Sequence, residues 1–300
     1  MIAHLKELQK YETPSYSLTM LPIHTCIAAG GRADDAVPVA AAWRSLHIAA
    51  KLLDDVEDGD EVVIGGKIIS PAVATNLATG FMSIADIALV ENLVSASEAV
   101  ISQIFVQEFN RIILQMCIGQ HLDIAEKFNQ TIEDYRRIMA AKSGSFFQLA
   151  AWAGARCATS DENILSLMES FGYSLGMMLQ LNDDLQDFRQ KGTSGDLASG
   201  QATFPAYYAL SVASPPERER LRNLLQRAAG DLLAEQDARN LIRALGGEVY
   251  MMAEIMRYRR RATSALAEMG LRQPLRKELE KWLTRLSLNP SQVTVADYRQ

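Results

Sequence analysis

The sequence is poor in cysteine and has no concentrated block of positive charge. Its 300 residues carry three cysteines at unrelated spacings, Cys26, Cys117 and Cys157. This number argues against a disulfide framework and for reduced thiols in a cytoplasmic protein. Cys117 and Cys157 lie in apolar stretches, where burial is expected. The formal net charge is −6, and without a basic block nucleic acid is not expected as a partner.

Long apolar runs and β-type alternation are also scarce. No window approaches the run of about 20 apolar residues that crosses a bilayer, and residues 1–6 do not lead into a secretory signal. The one short candidate for β-structure is the segment 61–69, where Gly65-Gly66 would allow a small hairpin. These absences favour an all-α protein without a transmembrane segment.

Helical periodicity dominates the rest of the chain. Apolar residues recur every three to four positions, and breaks fall at glycine and proline pairs such as Gly30-Gly31, Pro215-Pro216 and Gly246-Gly247. No low-complexity linker divides the chain, so residues 1–300 are predicted to form a single helical domain. The predicted helices cover 36–56, 71–90, 93–126, 132–157, 161–188, 201–212, 217–229, 235–268 and 273–287.

Two identically spaced aspartate clusters are the strongest chemical signal. Asp54-Asp55-Val56-Glu57-Asp58 and Asp183-Asp184-Leu185-Gln186-Asp187 each follow a largely apolar helical stretch. In each cluster the first and last aspartates lie one helical turn apart on one face. Such crowded carboxylates destabilise a helix, so bound cations are predicted. Oxygen ligands select Mg²⁺ or Mn²⁺, and Mg²⁺ that binds a few carboxylates and substrate phosphates points to a diphosphate bridged by metals.

Further short segments accompany the two clusters along the chain. They are Gly119-Gln120-His121-Leu122-Asp123, Tyr135, Lys142-Ser143-Gly144, Gly176, Gln180, Lys191-Gly192, Gly195-Asp196-Leu197, Gly200 and Thr203-Phe204-Pro205. With the clusters they resemble, over most of the chain, the trans-isoprenyl diphosphate synthase (polyprenyl synthetase) family. The resemblance implies the isoprenoid synthase fold, an antiparallel helical bundle around a deep central cavity, and a homodimer.

The resemblance also implies roles for individual residues. Lys142 and Lys191 would contact the diphosphate, and Gln180 would lie near the reacting allylic carbon. Together these roles imply ionisation of an allylic prenyl diphosphate in isoprenoid or terpenoid biosynthesis. The Mg²⁺ ions, of which several are expected, would be held by Asp54, Asp55, Asp58, Asp183 and Asp184, with Asp187 close by.

The chain lacks basic segments that hold isopentenyl diphosphate in chain-elongating members of the family. Where those members carry Gly-Gly-Lys-Arg-x-Arg-Pro, residues 13–19 contain no lysine or arginine. Where they carry Arg-Arg after the first cluster, this chain has Val62-Val63-Ile64, with only Lys67 nearby. Each lost charge-assisted contact removes about 1.5–3 kcal/mol. We therefore expect the isopentenyl diphosphate site to be altered or lost.

Several fates remain open for the allylic cation. It could be captured internally, as in a terpene synthase, or by a non-standard acceptor. Residues 54–60 and 119–123, with Lys142-Ser143-Gly144, also resemble isoprenyltransferases that modify quorum-sensing peptides. The alternatives are ordinary elongation to farnesyl, geranylgeranyl or longer diphosphates, with basic residues such as Arg257 and 259–261 recruited, or a non-catalytic subunit of a heteromeric synthase. Two intact clusters argue against the last.

Overall fold

The computed structural model is built almost entirely from α-helices, which confirms the all-α prediction. It describes residues 18–90, 96–125, 131–189, 197, 203–271 and 275–288, with the side chains of 96–101 and 285–288 left aside. One hairpin, β1 (Val63–Ile64) and β2 (Lys67–Ile68), interrupts the helices. The helices are α1 (Leu21–Ala28), α2 (Val37–Asp58), α3 (Pro71–Val90), α4 (Ala96–Ala125), α5 (Ile132–Met139), α6 (Ser145–Arg156), α7 (Glu162–Arg189), α8 (Phe204–Val212), α9 (Pro215–Ala228), α10 (Leu232–Ala244), α11 (Gly247–Glu268) and α12 (Leu275–Leu288).

The predicted helices agree with these elements apart from three differences. The predicted helix 132–157 is divided into α5 and α6 by a turn of different geometry at Ala140–Gly144. Residues 235–268, a single range in the prediction, form two helices that are separated at the predicted Gly246-Gly247 turn. Gly246 adopts a left-handed φ of 85° between α10 and α11, and its N–H donates to the Arg243 carbonyl. Helix α1 is absent from the predictions, since its eight residues span little more than two turns and show no clear period.

Helix α2 carries the first aspartate cluster on its last turn. Its buried residues include Val39, Trp43 and Leu46, which recur at helical spacing. The helix stops at Gly59, whose φ of 77° is left-handed. Few residues other than glycine adopt this conformation at low cost. The N–H of Asp60 then donates to the Asp55 carbonyl at 2.8 Å. This cap fixes where the carboxylates of the cluster lie.

The segment after the first cluster forms the small hairpin that the sequence predicts. Val63 pairs with Ile68 and Ile64 with Lys67 in an antiparallel register. Gly65 and Gly66, with φ of 57° and 73°, form the two-residue turn that such hairpins favour. Val62 and Ile64 are buried in an apolar cluster with residues of α2 and α3.

Helix α7 is central to the fold and carries the second cluster. Between 174 and 185 almost every side chain is buried, as expected for a helix covered on all sides. Two glycines allow the neighbouring helical segment to approach closely. A Cβ atom on Gly172 would lie 2.4 Å from the Phe147 carbonyl oxygen, and one on Gly176 would lie 2.3 Å from that of Ser143. The glycines therefore set the distance between α7 and the segment 143–147.

Two expectations from the sequence are wrong in the structure: that Cys117 and Cys157 are buried, and that no stretch is long and apolar enough to cross a bilayer. Cys117 is exposed on α4 rather than buried, and Cys157 is only half-buried, whereas Cys26 is buried. Helix α3 does reach the length and apolar composition of a membrane span, although 33% of its apolar stretch is buried in the protein. Core helices of soluble proteins pass the same test, so this single helix among the described residues is weak support for a membrane protein.

The close packing at Gly172 can be tested by substitution. Gly172→Ala should lower the free energy of unfolding by about 1–2 kcal/mol, since overpacking against a backbone atom outweighs the better helix propensity of alanine. Denaturant unfolding measures the change. Ser166→Ala, at an exposed position of the same helix, is the control and should change stability by no more than about 0.5 kcal/mol. Equal stability of both variants would contradict the packing argument.

Candidate active site

Lys142 joins the first aspartate cluster to a carboxylate from another helix. Its Nζ atom lies 3.4 Å from Oδ1 of Asp54 on α2 and 2.8 Å from Oδ2 of Asp123 on α4. The lysine side chain is 24% exposed, compared with 38% for Asp54 and 36% for Asp123. The three groups form a partly buried charged cluster in which the carboxylates are the more accessible members.

Negative charge exceeds positive charge around Lys142. Asp58 lies one turn beyond Asp54, and its side chain is exposed overall. Partial burial of its carboxyl group, together with repulsion from Asp54, raises the pKa of Asp58 to about 6. Burial alone would lower the pKa of Lys142, but the charges of Asp54 and Asp123 raise it. Because carboxylates at a helix C-terminus also oppose the helix dipole, a further cation would relieve this cluster.

A wide helical turn places Lys142 in this cluster. Residues Ala140–Gly144 form a π-helical turn between α5 and α6, closed by a hydrogen bond from the Ser145 N–H to the Ala140 carbonyl. Such turns are rare in proteins, and those that occur are often found at functional sites. Gly119 on α4 faces the turn, and a Cβ atom there would lie 2.8 Å from Cβ of Ala141 and 3.2 Å from Cγ of Lys142. The glycine thus lets α4 bring Asp123, four residues further on, to Lys142.

Asp55 has its own partner on the flank of the cluster. It forms an ion pair with Lys51, one turn earlier in α2. Asp54 and Asp58, in contrast, both interact with Lys142. The structure therefore brings Asp54 and Asp58 together, as their spacing predicts, and leaves Asp55 to one side.

Asp184 of the second cluster is buried and fully engaged by protein donors. Only 2% of it is exposed. Its Oδ2 accepts from the Tyr135 hydroxyl at 2.9 Å and from the Phe204 N–H at 3.4 Å. Its Oδ1 accepts from Nε2 of Gln180 at 3.1 Å. Burial raises the pKa of Asp184 to about 6, although these three hydrogen bonds act in the opposite direction.

Gln180 connects Asp184 to the π-helical turn. The Ser143 hydroxyl donates to Oε1 of Gln180 at 2.8 Å, while Nε2 of Gln180 donates to Asp184. Both ends of the amide are therefore used within the protein. Asp183 and Asp187, on either side of Asp184, are half-buried and more open to solvent than Asp184.

Two contributors to the site received no role from the sequence. Asp123 and Tyr135 lie in segments that carry the family resemblance, but nothing in their spacing shows which side chains they contact. Lys191, the other predicted diphosphate ligand, lies outside the described residues, as do residues 13–17 of the stretch that lacks basic side chains. Of the arginines proposed for recruitment, Arg257 pairs with Glu254 and Arg261 donates to Ser170.

The oxygen ligands of the site suit Mg²⁺ that is shared with a phosphate group. Among the residues that the structure describes, no three Asp, Glu, His or Cys side chains converge closely enough to hold an ion by themselves. Mg²⁺, however, is usually bound by one or two carboxylates plus substrate phosphates and water. The accessible pair Asp54 and Asp58, under mutual repulsion, fits that mode of binding.

Comparison with known proteins identifies the family. A sequence profile described as Polyprenyl synthetase matches residues 17–242, which is more than half of the chain. The protein therefore belongs to the polyprenyl synthetase family. This confirms the resemblance based on the aspartate clusters and the segments between them.

Individual relatives agree with this assignment. The chain is 28% identical over 229 residues to geranylgeranyl diphosphate synthase of Mycobacterium tuberculosis, covering 73% of this chain and 65% of that protein. It is 30% identical over 223 residues to short chain isoprenyl diphosphate synthase of Methanothermobacter thermautotrophicus, covering 69% of this chain and 66% of that protein. The chain thus spans slightly less than two thirds of the length of these relatives.

Solved structures show the fold. Geranylgeranyl pyrophosphate synthetase from Pyrococcus horikoshii superposes with a TM-score of 0.81 at 19% sequence identity, covering 95% of this chain and 90% of that one. The predicted isoprenoid synthase fold is therefore confirmed. The predicted loss of the isopentenyl diphosphate site is not supported by these matches and stays a prediction.

The charge balance around Lys142 predicts a stability effect that Mg²⁺ should offset. Lys142→Met should lower the free energy of unfolding by about 1–3 kcal/mol without Mg²⁺, because it leaves the neighbouring carboxylates unpaired. Added Mg²⁺ with inorganic diphosphate should recover most of this loss. Thermal unfolding in EDTA and in Mg²⁺ with diphosphate measures both effects.

Lys51→Met is the matched control, since Lys51 has similar exposure and pairs with one carboxylate on its own helix. Its loss should remain below about 1 kcal/mol. Equal losses in the two variants, or a Lys142→Met loss that Mg²⁺ and diphosphate leave unchanged, would contradict this description of the charge cluster.

Proposed function

We propose that this protein binds an allylic prenyl diphosphate between its two aspartate clusters and, with Mg²⁺, ionises it. The observation that carries the proposal is the cluster of Asp54, Asp58 and Asp123 around Lys142. It combines accessible oxygen ligands for Mg²⁺ with a fixed positive charge for a phosphate. Membership of the polyprenyl synthetase family supports the same chemistry.

The roles of the chain's own residues follow from their charge and placement. Bound Mg²⁺ would supply positive charge to the departing diphosphate. Asp54 and Asp58 on α2, and Asp183 and Asp187 on α7, would orient the ions. Lys142, held protonated by its carboxylate neighbours, would add a point charge where negative charge develops. Asp55 and Lys191 stay predicted ligands.

Elongation with isopentenyl diphosphate is the favoured fate of the allylic group. The relatives are named as geranylgeranyl diphosphate synthase and short chain isoprenyl diphosphate synthase, which supports a prenyl diphosphate synthase. These names favour ordinary chain elongation, which the sequence left as an alternative. They do not favour the expected loss of the isopentenyl diphosphate site.

Capture by another nucleophile is the second candidate, and the hairpin after the first cluster supports it. The hairpin turns Val62 and Ile64 into an apolar cluster, and Lys67 is its one cation. A second diphosphate would find little positive charge there. This candidate covers a terpene synthase and a transferase with a non-standard acceptor, whereas a non-catalytic subunit would capture no cation at all.

The two candidates differ in their need for isopentenyl diphosphate. Purified protein is incubated with Mg²⁺ and geranyl, farnesyl or geranylgeranyl diphosphate, with and without isopentenyl diphosphate, and products are identified by mass spectrometry. Longer diphosphates formed only in its presence support elongation. Hydrocarbon or alcohol formed in its absence supports the second candidate. Inertness with every substrate contradicts ionisation of these diphosphates by the protein alone and points to an unknown acceptor or a non-catalytic subunit.

Variants connect that activity to the clusters. Asp54→Ala and Asp183→Ala should each lower product formation by at least about 100-fold, because each removes a ligand that positions the reacting diphosphate. Asp237→Ala, at an exposed position of α10, is the control and should retain activity. Turnover near wild type in either cluster variant would refute the metal assignment.

We further propose that α3 and α4 form the contact of a homodimer. Leu114, Ile118 and Leu122 recur every four residues on α4 and are 66%, 62% and 39% exposed, and Ile87 on α3 is 53% exposed. Asn110 donates to Asp86 at 3.2 Å, so Ile87 and Leu114 lie within one turn of a contact between the two helices. Contiguous exposed apolar side chains commonly mark protein interfaces.

The cytoplasmic location stays a prediction.

Light scattering tests the dimer. Wild type should have twice the chain mass, and Leu114→Lys with Ile118→Lys should give monomers, because two charges would be buried in the contact. The control Leu233→Lys with Val249→Lys changes two exposed apolar residues on α10 and α11 and should remain dimeric. A monomeric wild type, or a dimeric Leu114→Lys and Ile118→Lys variant, would contradict the proposed interface.

A further inference from the structure

Asp184 is the buried aspartate of the two clusters, and the protein donates hydrogen bonds to both of its oxygens. The Tyr135 hydroxyl and the Phe204 N–H both donate to Oδ2, and Nε2 of Gln180 donates to Oδ1. With 2% of the residue exposed, neither oxygen has open access to a hydrated ion. A Mg²⁺ ion at about 2 Å with its remaining water ligands would require Asp184 to leave these donors.

The donors of Asp184 come from three separate parts of the chain. Tyr135 belongs to α5, Gln180 to the preceding turn of α7, and Phe204 begins α8. Asp184 therefore ties α7 to the helix before the π-helical turn and to the start of α8. The Phe204 bond also fixes the first residue of α8.

The orientation of the Gln180 amide is set by this carboxylate. An ionised carboxylate only accepts hydrogen bonds, so it must face the NH₂ group of Gln180. The amide oxygen then faces the Ser143 hydroxyl, which donates to it at 2.8 Å. Ser143 directly follows Lys142 in the π-helical turn. Two hydrogen bonds thus form a path that connects Asp184 of the second cluster to Ser143, the residue next in the chain to the lysine that contacts the first cluster.

We propose that Asp184 is a positioning residue rather than a metal ligand, and that it fixes the π-helical turn of Lys142 through Gln180 and Ser143. The inference rests on the proposed function, because it assigns parts within that same site. Asp183 and Asp187, half-buried on the same helix, then provide the metal ligands of the second cluster. Gln180 serves as the link between Asp184 and Ser143.

The substitution Asp184→Asn separates the two roles. The asparagine oxygen can accept from Tyr135 and Phe204 as Oδ2 does. Its NH₂ group can donate to Gln180 once the Gln180 amide turns over, and Gln180 can then donate to the Ser143 oxygen. Every hydrogen bond of the path has a replacement, whereas the negative charge that a Mg²⁺ ligand needs is lost. Asp183→Asn makes the same change at a proposed ligand and is the matched comparison.

The readout is the Mg²⁺ concentration that produces half of the rise in melting temperature at a fixed concentration of inorganic diphosphate. For Asp184→Asn this midpoint should stay within about threefold of wild type, whereas Asp183→Asn should raise it by at least about tenfold. An equal increase in both variants would overturn the proposal. Absence of any rise in wild type would instead refute the proposed function, and the inference would fall with it.

A second pair of variants tests the far end of the path and does not depend on how Asp184→Asn folds. Ser143→Ala removes the hydroxyl next to Lys142 and should lower kcat by roughly 10–100-fold through misplacement of the lysine, with an unchanged Mg²⁺ midpoint. Ser143→Thr keeps the hydroxyl and should restore most of the activity. Equal activity of Ser143→Ala and Ser143→Thr, or a midpoint raised in Ser143→Ala, would overturn the proposal.

Discussion

Lys142 and Ser143, adjacent residues of the π-helical turn, contact the two helices that carry the aspartate clusters, α2 and α7. Lys142 reaches Asp54 and Asp123, and Ser143 donates to Gln180 one turn before the second cluster. In an α-helix, successive side chains are rotated by about 100° around the helix axis. The wider π-helical turn changes this rotation between Lys142 and Ser143. The relative placement of the two carboxylate clusters depends on this turn, and so does any ligand shared between them.

The glycines around the turn make that arrangement sterically feasible. Gly176 allows α7 to approach the Ser143 carbonyl, and Gly119 allows α4 to approach Lys142. Each glycine lies four residues before a polar residue of the site, Gln180 on α7 and Asp123 on α4. Backbone packing and side-chain chemistry are therefore coupled: the close contact on one helical turn delivers the functional group on the next.

Much of this could be predicted from the sequence, for definable reasons. Helical periodicity predicts most of the helices, glycine and proline pairs predict turns between them, and Gly65-Gly66 predicts the hairpin. The π-helical turn within 132–157 leaves no such signal in the sequence. The identical spacing of the two clusters gave the pairing of Asp54 with Asp58. The partners of Lys142, Asp184 and Gln180 could not be predicted, because each bond crosses between helices far apart in the chain. The exposure of Cys117 was missed because local apolar character does not reveal which face of α4 is covered.

Binding of cations and diphosphate between the two clusters is tested most directly by a crystal structure of the protein with Mn²⁺ and inorganic diphosphate. Mn²⁺ takes the same oxygen ligands as Mg²⁺ and can be located by its anomalous scattering. We expect manganese beside Asp54 and Asp58 and beside Asp183 and Asp187, with the diphosphate between them and within reach of Lys142. Manganese at only one of the clusters, or diphosphate bound away from Lys142, would contradict this arrangement.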